Sequence, residues 1–130
     1  MATRAGIGIK QADGSVKAIY LHWDGYPGHA GAILGGWYKT PEQVEALLAL
    51  GDLSEIDETL ETCVAFHRDR GEALNTATTF ASVEEYQTKG KGDLDADYLY
   101  LYDAGRWLVY GLYNDPDWNE LNVVIGEEEK

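Results

Sequence analysis

The alternation of apolar and polar positions divides the chain into two strand-rich ends and a helical middle. Residues 5–11 and 16–22 alternate with a period of two around Ala12-Asp13-Gly14-Ser15, a turn with its glycine, and predict a β-hairpin. On its second strand Ile19 and Leu21 share one face, and Tyr20 and His22 share the other. On its first strand Ile7 and Ile9 alternate with Gly6 and Gly8. These glycines leave one sheet face bare, so something bulky can lie close there: Tyr20, His22 or a packed helix. A second hairpin is predicted from 98–102 and 106–113 around Asp103-Ala104-Gly105. Tyr98, Tyr100 and Tyr102 fall on one of its faces, Leu99 and Leu101 on the other. The tyrosine face is expected to be a half-buried packing surface.

Between the hairpins the period lengthens. Residues 41–50 form the clearest helix. Thr40 is its N-cap, Pro41 takes the first helical position, Gln43 completes a capping box, and Gly51 stops it. Val44, Leu47 and Leu48 make its apolar stripe. Residues 29–37 predict a weaker helix, interrupted by glycines. In 55–66, Ile56, Leu60, Cys63 and Val64 keep helical spacing, although CVAF also reads as a strand. Ser82 with Glu85 opens a short helix over 83–88, and the glycine-containing 89–97 reads as a polar loop. After Asn114 come DPDW, an NVVI run and EEEK, the last a solvated end. The expected fold is α+β: residues 1–130 as one domain, with an antiparallel sheet from two hairpins and two to four helices between them. Helix 41–50 is expected to cover Ile7, Ile9, Ile19 and Leu21.

Composition narrows the partners. A hydrophobic content of 45% suits a folded protein rather than a disordered one. The 23 acids against 10 Lys and Arg give a formal net charge of −13, which repels nucleic acid and anionic membrane and favours a basic protein partner. The acids at 42, 45, 52, 55, 57, 58 and 61 are the densest run. Within it Glu55, Asp57, Glu58 and Glu61 are the first candidates for a contact face. Cys63 is alone, so neither an intramolecular disulfide nor a four-thiolate zinc site is expected. No signal-like or membrane-spanning apolar run is read, and a reducing cytoplasm fits.

Residues 19–38, IYLHWDGYPGHAGAILGGWY, set bulky rings among glycines, as suits a surface that touches something else. Trp23, Tyr26 and Trp37 are its candidate partner-binding residues. His22, Asp24 and His29 are of metal-ligand type, but their spacing matches no strong signature, and a locally braced turn is expected instead. His67-Arg68-Asp69-Arg70-Gly71-Glu72 shares its first letters with a kinase catalytic loop, but the rest of that motif is absent. Its arginines either pair with acids or hold an anion. An ion-paired arrangement would bring this segment beside HWDGYP, with Asp24 or Glu72 close to Arg68 or Arg70. A Cys63–His67 dyad is conceivable on a helix. No nucleophile elbow, Walker loop or HExxH occurs, so no catalytic residue, cofactor or metal is expected.

The segments GIGI, DGSVKAIYLHWDGYP, TPEQVEALLALGDLS, HRDRGE and YLYLYDAGRWLVY together resemble a family of small uncharacterised accessory proteins of tailed bacteriophages and prophages. HWDGYP and RDRGE are the most specific parts. The resemblance implies a viral protein acting in the bacterial cytoplasm, of a kind that often counters host defence. The expected function is therefore non-enzymatic: inhibition of a host nucleic-acid-targeting immune effector, of anti-CRISPR or anti-restriction type, by direct protein binding. One alternative is a sponge for a nucleotide immune signal, with His22, Trp23, Asp24, Tyr26, Arg68 and Arg70 as ligand-binding residues. A weaker alternative is a small hydrolase in which His22, Asp24, His67 and Asp69 converge.

Overall fold

The computed structural model describes residues 2–111 and 117–128. Both hairpins form. Strands β1 (Ala5–Lys10) and β2 (Val16–Leu21) pair antiparallel, with Ile7 opposite Ile19. Strands β6 (Tyr98–Asp103) and β7 (Arg106–Tyr110) pair antiparallel with Tyr100 opposite Val109. Their two-residue turn places Ala104 and Gly105 at φ of 53° and 85°, the left-handed geometry that matches strand twist.

The sheet is not purely antiparallel. Strands β3 (Leu53–Glu55), β4 (Val64–Ala65), β5 (Thr78–Phe80) and β8 (Asn119–Glu120) complete an eight-stranded sheet of order β4-β3-β2-β1-β6-β7-β8, with β5 also on β2. The β1–β6 and β2–β3 pairs run parallel. Strand β1 is central and buried on both faces from Ala5 to Ile9, the usual setting of a parallel pair. Hydrophobic alternation marks which face of a strand is buried, not which strand lies beside it.

Helices cover both faces. On one face Ile7, Ile9, Ile19, Leu21, Tyr100 and Tyr102 pack with Ile33 and Leu34 of α1 (Ala32–Trp37), Val44, Leu47 and Leu48 of α2 (Pro41–Leu48), and Leu121 and Val124 of α5 (Leu121–Glu128). The NVVI run thus lies in α5. The capping box at Thr40 and Gln43 is formed, with Thr40 Oγ1 accepting from the Gln43 amide at 3.2 Å. On the other face Val16, Ala18, Leu99 and Leu101 pack against Tyr86 and Leu94. Tyr86 belongs to α4 (Val83–Asp93), which runs through residues expected as a loop. Its glycines argue against a helix, but tertiary packing wins. A Cβ at Gly90 would stand 2.9 Å from Leu99 Cδ1, so only glycine lets α4 lie this close to the sheet.

The tyrosine ladder is a packing surface, as expected. Tyr100 and Tyr102 are buried, and their hydroxyls donate to the carbonyls of Gly25 (2.6 Å) and Lys39 (2.7 Å). In 55–66 the helical spacing does not become a helix. The segment is strand, loop and strand, followed by the short α3 (Phe66–Arg70). The end of the second hairpin beyond Gly111 and the first two residues of DPDW lie outside the described residues.

Candidate functional site

The HWDGYP segment is built by a backbone constraint. Asp24 adopts φ 56°, and the Gly25 amide donates to the Thr3 carbonyl at 2.8 Å. A Cβ at Gly25 would meet the Thr3 oxygen at 2.9 Å, so glycine is required by the close passage of the N-terminal strand. Pro27 then starts a π-helical turn, Pro27–Gly31, that feeds into α1. The turn holds Trp23 and Tyr26 outward, at 42% and 44% exposure, while Trp37 at the end of α1 is 48% exposed. With Leu74 these are the large apolar side chains exposed among the described residues.

Residues of the acidic run 55–61 line two depressions, one shared with Trp23 and the other with Trp37. Trp23, Asp24, His29, Glu55 and Asp57 line a depression of about 230 Å³. Trp37, Tyr38, Glu42, Glu58 and Leu60 line another of about 330 Å³. Tyr26 sits beside the first, its ring 6.1 Å from that of His29. Glu55, Glu58 and Glu61 are exposed and Asp57 is half-buried. Two acids of the dense run stand elsewhere. Glu45 pairs with Lys17 at 2.9 Å, and Asp52 accepts from the Tyr20 amide at 3.0 Å.

The loop is held in place by polar contacts. The buried Tyr38 donates from its hydroxyl to the Asp57 carbonyl at 2.8 Å. The Asp57 amide points to Cys63 Sγ at 3.3 Å, and Thr59 and Thr62 share a hydroxyl bond of 2.7 Å. Arg68 donates to the carbonyls of Leu60 (2.8 Å) and Cys63 (2.7 Å) while gripping Asp69 at 2.9 Å. This pairing raises the Arg68 pKa and lowers that of Asp69, mainly through their mutual hydrogen bonds. The arginines of the HRDRGE segment therefore serve local structure: Arg68 clamps the acidic loop and Arg70 lies 5.4 Å over the Phe66 ring.

Other expectations for these residues are corrected. The carboxylate that pairs with Arg68 is Asp69, not Asp24 or Glu72. Strand β3 stands between the two segments: the His22 amide bonds Leu53 on one side of it, and Leu53 pairs with Ala65 on the other. The set His22, Trp23, Asp24, Tyr26, Arg68 and Arg70 is not assembled into one pocket. Neither arginine lines the depression holding Trp23 and Asp24, and His22 Nδ1 is engaged with the Tyr20 hydroxyl at 2.7 Å. Cys63 Sγ has Tyr38 and Asp57 as its hydrogen-bond partners, while His67 Nδ1 is engaged with the Glu72 carbonyl at 2.8 Å, so no Cys63–His67 hydrogen bond is formed. Among the described residues no group of three or more His, Cys, Asp and Glu side chains is placed to hold a metal ion. No described helix is long and apolar enough to cross a membrane.

Two features escaped the sequence reading. One is the part played by Tyr38 and Glu42 in the larger of the two depressions, which forms only where the end of α1, helix α2 and residues 58–60 come together in space. The other is a polar cavity of about 550 Å³ lined by Tyr20, Asp52, Asn75, Asp93 and Asp95. Burial raises the carboxyl pKa of Asp52 there, against hydrogen bonds from the Tyr20 amide and Asn75.

No family model, curated protein or solved structure matches this chain.

Proposed function

We propose that this chain is a non-enzymatic binding protein whose acidic loop and flanking rings attach to a basic surface of another protein. The observation that carries this reading is the pinned 55–61 loop, whose residues share one depression with the exposed Trp23 and another with the exposed Trp37. Interfaces draw their strength from a few aromatic anchors, and complementary charge speeds encounter and rejects wrong partners. A loop fixed before binding loses less conformational entropy on association. The net charge of −13 disfavours nucleic acid itself as the partner. The proposed target class is the basic groove of a host nucleic-acid-targeting defence effector, which the protein would occupy in place of nucleic acid. The phage-family resemblance of HWDGYP and RDRGE supports that choice.

The test is titration of a purified DNA-cleaving effector with this protein at low and moderate ionic strength, following cleavage and gel filtration together. Stoichiometric inhibition that weakens with salt is expected. Failure to form a complex at any salt concentration, or inhibition indifferent to salt, would refute the reading.

A further inference from the structure

Resting on that reading, we infer that the cleft between α1, α2 and the acidic loop receives one arginine side chain of the basic partner. The cleft has a volume of about 330 Å³. Tyr38, Ala46 and Leu60 contribute apolar surface, and Trp37 presents an indole that is 48% exposed. Glu42 and Glu58 line the same cleft. Neither takes part in an ion pair among the described residues, in contrast to Glu45, which holds Lys17. No Lys or Arg lines the cleft to neutralise them.

Each feature selects against a class of occupant. Two carboxylates repel an anion. The capping box at Thr40 and Gln43 already uses amides at the α2 N-terminus, so that helix end offers little to a phosphate. A purely apolar side chain would desolvate the carboxylates without pairing them. A long cationic side chain suits all the surfaces at once: its methylenes lie on Leu60 and Ala46, and its head meets the carboxylates and the indole. Between the two cations, the planar guanidinium stacks on an indole, binds carboxylate through paired donors, and is less strongly hydrated than an ammonium.

The experiment uses the full chain labelled with nitrogen-15 and reads the indole resonances of its tryptophans. The probes are blocked pentapeptides, Gly-Gly-X-Gly-Gly, in which X is arginine, lysine, citrulline or norleucine. The arginine peptide should shift the Trp37 indole saturably, at concentrations on the order of millimolar. Citrulline, which keeps the shape and loses the charge, should bind about tenfold more weakly, as should arginine to the E42Q/E58Q variant. No Trp37 shift, or equal binding of citrulline or norleucine, overturns the inference. Equal binding of lysine overturns the assignment to a guanidinium. The same variant and Trp37→Ala are then measured against the basic effector, with thermal melts confirming the fold. Weakening by both supports the inference. If E55Q/D57N/E61Q weakens the complex and these two do not, the cleft assignment falls and the basic-partner reading stands. If neither set weakens it, both fall.

Discussion

The hydroxyl of Tyr38 donates to the backbone carbonyl of Asp57 at 2.8 Å, tying the acidic loop to the aromatic core. Tyr38 is 3% exposed, and its own carbonyl accepts from the Trp107 indole at 2.9 Å. The loop's position is thus referred to β7 through one buried side chain. Tyr38→Phe keeps the ring and removes the bond, so it should cost about 1 kcal/mol of stability. Amide exchange should accelerate at 57–62 more than in β1 or β6. Unchanged exchange in the loop would show that Arg68 and the Thr59–Thr62 pair suffice to hold it.

The second face of the sheet depends on a ring over a bare backbone. Tyr86 ring carbons lie 3.2 Å from where a Cβ of Gly8 would stand, and the Tyr86 hydroxyl donates to the Tyr100 carbonyl at 2.9 Å. Gly8→Val should overpack this contact and cost about 1–3 kcal/mol. Tyr86→Phe should cost about 1 kcal/mol through the lost hydrogen bond. Urea melts of both variants check the pair; a neutral Gly8→Val would mean that α4 is free to move away.

These two contacts show what was legible in the sequence. The Gly6/Gly8 alternation announced a close neighbour, and a packed helix was among the readings. That the helix is α4 was hidden, because Lys89-Gly90-Lys91-Gly92 has the composition of a loop. The need for glycine at position 90 is set by Leu99, nine positions away in sequence but close to it in space. The two hairpins and the capping box of α2 were legible because each rests on local chemistry. The parallel β1–β6 pairing was not, since nothing in a strand's own alternation names its neighbour. At the candidate site, exposed rings and acids could be read from residue type. That an arginine of HRDRGE pairs with an acid could also be read, but the clamp of Arg68 on the acidic loop could not, because it is made to the backbone carbonyls of Leu60 and Cys63, a group every residue has.

Leu47 is fully buried in the cluster that joins α2 to β1 and β2. Leu47→Ala should cost about 2–5 kcal/mol, the range for truncating a packed leucine. Leu48→Asp, which places a charge in the same cluster, should unfold or aggregate the protein. Wild-type melting of Leu48→Asp would mean that α2 does not depend on this face.

Asp52 gives a pH dependence of definite sign. Burial raises its carboxyl pKa in the folded state, so folding disfavours the ionised form. An acid raised in this way contributes most below its unfolded value, and that contribution is lost as pH rises through its folded value. Asp52→Asn keeps an oxygen for the Tyr20 amide and removes the charge. Its stability relative to wild type should therefore increase as pH rises from roughly 4, the ordinary aspartate value, and level off above the folded one. Paired urea melts across that range check this; a difference that stays flat with pH would show that the half-buried carboxylate is well solvated.

The acidic loop supplies the closing prediction. Lysine at all four acids is a crude test, because Asp57 Oδ1 accepts from the Glu58 amide at 2.8 Å and lysine would remove that acceptor. The variant E55Q/D57N/E58Q/E61Q removes four charges and keeps the bond, since asparagine retains a carbonyl oxygen at 57. Its melting should match wild type or exceed it, because a chain of net charge −13 gains from reduced self-repulsion. Its complex with a basic effector should weaken. Four rim pairs at roughly 0.2–1 kcal/mol each correspond to a loss of about fourfold to several hundredfold. The loss should appear chiefly in the association rate, and the variant's affinity should depend less on salt than that of wild type. Rings at Trp23, Tyr26 and Trp37 remain in this variant, so residual binding should be less sensitive to ionic strength. Inhibition at wild-type strength, with an unchanged salt slope, would remove the loop from the interface and leave the charge without that use.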